Sequence, residues 1–144
     1  MNPNMTKSLS EIIDEVEKQK TTASQTKVLQ KYASAALKAV IGFGMDPGVK
    51  FLLPITNPPF RPMPEGSDSQ GRLIAEHRKF IYFVDSPDGR NLSNLKREQM
   101  FIQLLEGLDV RDAQLVLRMK NKDLKIKMDA VKAAFPNLTK NWKK

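Results

Sequence analysis

Five of the chain's nine prolines crowd between Pro54 and Pro64. Proline carries no amide donor and fixes its own backbone angle, so this stretch cannot be a helix or the middle of a sheet. Regular structure must therefore lie on either side of it. With Asp46-Pro47-Gly48 as a turn before it and Ser67, Asp68, Ser69 and Gly71 after it, the span reads as a long internal loop from Phe51 to Gly71. It is either a hinge between two helical halves or a strap over the core. The large apolar groups Phe51, Leu52, Leu53, Ile55 and Phe60 favour the strap, because a free linker has no use for them.

On both sides of this loop, apolar residues recur at helical spacing. Leu9, Ile12, Ile13 and Val16 mark one helix, with Ser8 and Glu11 placed for a capping box. The hydroxyls of Thr21, Thr22 and Ser24 can cap a second, which carries Val28, Leu29 and Tyr32. A third runs from Ser34 through Val40 and Ile41, with an expected end at Gly42 and Gly44. Arg72 to Val84 reads as a helix with Leu73, Ile74, His77, Phe80 and Ile81 on one face, although Phe80-Ile81-Tyr82-Phe83-Val84 has the branching of a strand.

Asp85-Ser86-Pro87-Asp88-Gly89 is a break. Leu92, Leu95, Met100, Phe101, Leu104, Leu105 and Leu108 then mark an amphipathic stretch, and Asp109 can cap the helix that follows, with Asp112 at its positive end. That helix stops in Lys120-Asn121-Lys122-Asp123. A last one through Met128, Val131, Ala134 and Phe135 is expected to end at Pro136, leaving Thr139 to Lys144 as a basic tail. The expectation is an all-α, single compact domain of six to eight short helices, in two similar halves joined by the Pro-rich loop. Helix, polar joint, helix occurs near both ends, without a fixed repeat.

Composition narrows the chemistry. The 144 residues suit one core, and 40% apolar with 28% charged residues is a folding composition. There is no cysteine and one histidine, His77, which removes disulfides, thiolate metal sites and any site needing two histidines. No apolar run approaches the roughly 20 residues of a membrane span, and Met1 to Glu17 lacks a signal-peptide pattern, so a cytoplasmic, non-secreted protein is expected.

Enzyme motifs fail in turn. Gly42-Phe43-Gly44-Met45-Asp46-Pro47-Gly48 has neither the Lys-Ser/Thr of a P-loop nor the order of a dinucleotide site. Asp14 and Glu15 are neighbours that diverge by about 100 degrees on a helix. His77 on an apolar face is a core histidine before it is a base or ligand. No catalytic residue, metal site or cofactor is expected, and the protein reads as a non-enzyme.

Charge is the positive signal. Lys and Arg number 24 against 16 Asp and Glu, a net charge of +8. Arg111 to Lys144 holds ten basic residues against three acids, so nearly all of the excess lies there, mostly within an apolar pattern and not on a tail. A basic helical surface of this kind suits a nucleic-acid backbone, where lysines neutralise phosphates and hydroxyls or free amides hold single oxygens. Two polar joints combine these groups: Thr21, Thr22, Ser24 and Lys27 near one end, and Lys120, Lys122, Lys125 and Lys127 near the other. Two anchors of this kind grip a duplex without reading its sequence. Trp142 and a few scattered aromatics offer little for stacking on single strands.

Leu117-Arg118-Met119-Lys120-Asn121-Lys122-Asp123-Leu124-Lys125-Ile126 and Val131-Lys132-Ala133-Ala134-Phe135-Pro136-Asn137-Leu138 carry a family likeness. The chain resembles the helical N-terminal DNA-binding domain of ATP-dependent DNA ligases, most closely that of the T-even-type phage ligases. Arg118, Lys122, Asp123, Leu124, Phe135 and Pro136 fill matching positions. Leu9 to Val16, the Thr22 to Gln25 joint, Val28 to Ile41 and the Gly48-Val49-Lys50-Phe51 turn are similar too. The resemblance implies duplex contacts at Thr22, Ser24, Lys27, Lys122, Lys125 and Lys127, with Lys127 standing where the family has glycine. The ligase nucleophile is missing: Ser86-Pro87-Asp88-Gly89 has serine where Lys-x-Asp-Gly needs lysine.

The resemblance therefore implies a freestanding, phage-encoded module that binds double-stranded DNA, with contacts at Thr22, Ser24, Lys27, Arg118, Lys120, Lys122, Lys125 and Lys127. It would serve replication, repair or transcription, alone or beside a phage or host protein. The alternative is a viral interaction module that reuses the scaffold to dock on a polymerase, another replication factor or a virion component, for which the apolar loop from Leu52 to Pro64 leaves room.

Overall fold

Capping dominates the first third of the molecule. A computed structural model describes residues 8–54, 56–61, 72–140 and 142. Helix α1 (Leu9–Lys18) starts on the expected capping box: Ser8 Oγ accepts from the Glu11 amide, and the Glu11 carboxylate accepts from the Ser8 amide at 3.0 Å. Helix α2 (Thr22–Lys31) repeats the device with Thr21 and Ser24. Helix α3 (Ala35–Met45) is capped by Ser34. In each case a short oxygen satisfies an amide that the helix itself leaves without a partner.

Helix α3 does not stop at its glycines. It continues through Gly42 and Gly44 to Met45. Gly44 is buried where a Cβ would lie 2.7 Å from Leu124 Cδ1, so its missing side chain makes room for a distant segment. Glycine lowers helix propensity by only about 1 kcal/mol, which packing outweighs here.

After α3 the chain runs as the strap. Phe51, Leu53 and Phe60 are half-buried against the core, while Ile55 and residues 62–71 lie outside the described residues. The strap is fastened by an isolated antiparallel bridge, Phe51 with Val84, where the Leu52 amide donates to Phe83 O at 2.8 Å and the Asp85 amide to Lys50 O at 2.7 Å. Arg97, only 3% exposed, donates to the carbonyls of Gly89 (2.6 Å), Leu92 (2.9 Å) and Leu52 (3.4 Å), and so ties the strap to its own helix, Asn94–Glu106.

The expected helix from Arg72 to Val84 is two elements. Helix α4 (Arg72–Glu76) tightens into a 3-10 segment, His77–Phe83, which buries Phe80 and Phe83. The strand character of its last residues survives only in the bridge at Val84. Phe83 meets Phe101 edge-on at 5.2 Å, and Phe80 meets Phe43 at 5.7 Å, both favourable aromatic geometries. His77 is half-buried, not fully on the core face, and burial together with Arg78 lowers its pKa.

Helices α5 (Pro87–Arg90) and α6 (Asn94–Glu106) are capped by Ser86 and Ser93. Gly89 is required: a Cβ there would lie 2.0 Å from Val84 O. Leu95 does not join the apolar face of α6; it is 68% exposed, because its place in the helix lies about 180 degrees of turn from the buried Leu104. Helix α7 (Val110–Lys120) is capped by Asp109 as expected, and α8 (Met128–Ala134) follows. Helix α8 stops just before Pro136, as expected, and the proline then starts a further short helix, α9 (Pro136–Thr139), at whose first turn its missing amide costs nothing.

The described residues thus form nine α-helices and one 3-10 segment, with no β-strand among them. They make one all-helical domain around one core. The two expected halves do not pack separately: α2 lies along α8, α1 against α7 and α3 against α7. Leu9, Ile13, Leu29, Leu37, Ile41, Leu105, Leu108 and Met119 from both sides of the strap share the interior. No helix among the described residues is long and apolar enough to cross a membrane.

Candidate nucleic-acid interface

The two polar joints singled out in the sequence meet in space. Residues 19–21 connect α1 to α2, and residues 121–127 connect α7 to α8. Gln25, 2% exposed, spans them: its Oε1 accepts from the Lys127 amide at 2.9 Å and its Nε2 donates to Gln19 O at 3.3 Å. Glu17 makes a second tie. Its Oε2 accepts from the Lys125 amide at 2.7 Å and pairs with the Arg118 guanidinium.

Neither bridging residue is among the DNA contacts expected from the sequence, although each leaves a trace there. Gln25 precedes Leu29 by four positions and Glu17 follows Ile13 by four, so both polar side chains lie along apolar helical stripes. A polar group in that phase must find an internal partner or break the pattern.

Several of the expected contact residues are engaged within the fold. Arg118 also donates from Nε and Nη2 to Asp123 O at 3.1 and 2.9 Å, and its pKa is raised chiefly by the hydrogen bond to Glu17. Lys120 is buried and donates to Asn121 Oδ1 at 3.0 Å; burial lowers its pKa. Lys122 adopts a left-handed backbone, φ 57°, and directs its ammonium to Phe43 O and Asp46 O, both at 2.9 Å. It thereby caps the negative end of α3, and its pKa is lowered by burial against an opposing pull from Asp46.

Two hydroxyls of the first joint, those of Thr21 and Ser24, are similarly occupied. Ser24 Oγ lies 2.8 Å from Thr21 Oγ1 and donates to Thr21 O at 3.1 Å, while Thr22 O accepts from Thr26 Oγ1 at 2.7 Å.

Three lysines have a different placement. Lys27, Lys125 and Lys127 are exposed, the first on α2 and the others on the second joint. Lys125 Nζ lies 3.1 Å from the exposed Asp123 carboxylate, a contact that water weakens. Lys127 occupies the N-cap position of α8 and supplies no side-chain cap. The Gln25 bridge joins α2, which carries Lys27, to the backbone of Lys127.

The described residues hold no group of three or more His, Asp or Glu side chains arranged to take a metal ion. No curated protein and no solved structure matches the chain. Residues 12–126, which include the first joint, the strap and the second joint up to Ile126, match the model described as a family of unknown function, DUF6433. The chain belongs to this family.

Proposed function

We propose that the protein binds double-stranded DNA through its phosphate backbone, without reading base sequence and without enzymatic activity, in the cytoplasm of a phage-infected cell. One observation carries the reading: two basic joints about 100 residues apart are stitched together by Gln25 and Glu17, presenting Lys27, Lys125 and Lys127 on neighbouring backbone. Ammonium groups carried on an ordered backbone can neutralise phosphates on a duplex without the backbone itself having to fold on binding. The excess of basic residues from Arg111 onward and the likeness to ligase DNA-binding domains support the same reading. Replication, repair or transcription of the phage genome is the matching process.

Arg118, Lys120 and Lys122 act in this reading as supports, since their head groups are spent on Glu17, Asn121 and the end of α3. Docking through the apolar strap is less favoured, because Phe51, Leu53 and Phe60 pack against the core.

Binding of the protein to intact and nicked labelled duplexes over a salt series tests the proposal. Affinity should fall steeply with salt, and the combined change Lys27→Glu, Lys125→Glu and Lys127→Glu should flatten the log–log slope by on the order of 3, about 0.9 for each phosphate that is no longer neutralised. A matched reversal at Arg78, Lys79 and Lys96, on the 3-10 segment and α6, should leave most binding in place. No binding at low salt by the folded protein refutes the reading.

A further inference from the structure

An open groove of about 580 Å³ lies where the turn after α3 approaches α8 and the C-terminal turns. Pro47, Met128, Pro136 and Trp142 give it an apolar lining, and Lys132 and Lys140 stand at its edge. Among the described residues, no acidic side chain contributes to that lining. The groove is built, not incidental: α9 is fixed on Phe135 by its first-turn proline, and the Trp142 amide donates to Thr139 O at 3.0 Å, which returns the indole to the core.

We propose that this groove is a docking site for an acidic peptide segment of a partner protein, one that seats an aliphatic or aromatic side chain between Trp142 and Met128. Charge complementarity selects that occupant. The exposed Lys132 and Lys140 attract carboxylates while the apolar lining takes an apolar anchor.

A nucleobase suits the groove less well. Its polar edges would lose water over this floor, and Thr139, the remaining polar side chain of the described lining, turns its hydroxyl to Pro136 O at 3.4 Å. A leucine or phenylalanine side chain has no such loss. None of Lys27, Lys125 and Lys127 lines the groove, although Met128 directly follows Lys127, so the proposal rests on different side chains and does not depend on DNA binding.

Trp142 is the chain's one tryptophan, so its emission reports on this groove alone. The probe is a synthetic peptide of four aspartates followed by leucine and phenylalanine. Two controls replace the aspartates by lysines or the apolar pair by serines. The acidic apolar peptide should shift the Trp142 emission saturably, and both controls should bind at least roughly tenfold more weakly.

Lys132→Glu with Lys140→Glu should weaken the acidic peptide by a similar factor at unchanged helix content, and Lys132→Gln with Lys140→Gln by less. Isothermal calorimetry on Trp142→Ala should show the same loss without relying on emission. The Lys27, Lys125 and Lys127 reversal should retain peptide binding even where it abolishes DNA binding.

The proposal is overturned by no saturable response in either emission or heat, by equal binding of the lysine peptide, or by full binding to the Lys132→Glu, Lys140→Glu protein. It is equally overturned if a duplex or single-stranded oligonucleotide displaces the peptide, which would assign the groove to nucleic acid.

Discussion

The two helix–joint–helix units are built on opposite plans. The joint between α1 and α2 is three residues long and largely serves itself: Thr21 and Ser24 cap α2 reciprocally, and the Gln19 side chain donates to Glu15 O. The joint between α7 and α8 is seven residues long and borrows. Its amides at Lys125 and Lys127 are satisfied by Glu17 and Gln25 from the first unit, α8 has no side-chain cap, and Lys122 leans on the end of α3. A joint that satisfies its own backbone can form early and alone, whereas one that borrows can form only when the whole core is assembled. The basic surface proposed for DNA thus depends on the complete fold, and the acids and amides that shape it lie in another part of the sequence.

Breaking the loan should expose the difference. Gln25→Ala should have the largest effect, about 3 kcal/mol, because it removes a buried side chain and leaves the part-buried Lys127 amide and Gln19 O without these partners. Urea unfolding measures the loss, and hydrogen exchange should speed at the Lys127 amide. Glu17→Ala comes next, at about 2 kcal/mol, since it removes charge-assisted bonds to Arg118 and to the Lys125 amide. Either variant should also weaken DNA binding although neither removes a positive charge. Undiminished DNA affinity in both folded variants would separate the joint's geometry from binding.

Lys122 separates its two contributions when two replacements are compared. Alanine loses the bonds to Phe43 O and Asp46 O and keeps the left-handed backbone cost, while glycine loses the same bonds and relieves it. Lys122→Gly should therefore be more stable than Lys122→Ala by about 1 kcal/mol. Equal midpoints would show that the φ of 57° is not under strain in the folded chain. In the self-sufficient joint, Thr21→Ala should cost about 1 kcal/mol, the ordinary worth of a cap, and leave exchange at Lys125 and Lys127 unchanged.

This contrast also explains what was legible from residues alone. Ser8 with Glu11, Thr21 with Ser24 and Asp109 with Asp112 are pairs three apart, so local spacing was enough to place three helix starts. The lysines of the candidate surface could be named in the same way. Which of them hold their charge outward could not, because that depends on Glu17, Phe43 and Asp46, about 80 to 110 positions from their partners. The continuation of α3 past Gly42 and Gly44 was hidden for the same reason: the cause is Leu124 against Gly44. Leu95 misled because apolar identity alone does not fix which side of a helix start a residue faces.

The loan is returned at the other end of the same helices, and that gives the smallest effect at neutral pH. The Ser10 amide in α1 donates to Asp112 Oδ1 in α7 at 3.2 Å, and Asp112 is 1% exposed. Burial raises the Asp112 pKa, with Asp109 adding to the rise and the bonds from Ser10 opposing it. A carboxylate whose folded pKa lies above its unfolded value binds protons more readily in the folded state. Its charged form is therefore a cost at neutral pH, and stability recovers as pH falls through the folded pKa toward the ordinary value near 3.8. Asp112→Asn keeps an oxygen for the Ser10 amide and removes the titration, at the loss of a favourable charge on the α7 dipole. At neutral pH the two effects oppose, and the net change should stay within about 1 kcal/mol. Urea midpoints measured as pH is lowered from neutral toward about 4 should show wild type gaining on the variant. Parallel profiles would mean that Asp112 holds its proton no more tightly in the folded chain, and that the contact between α1 and α7 carries no buried charge to relieve.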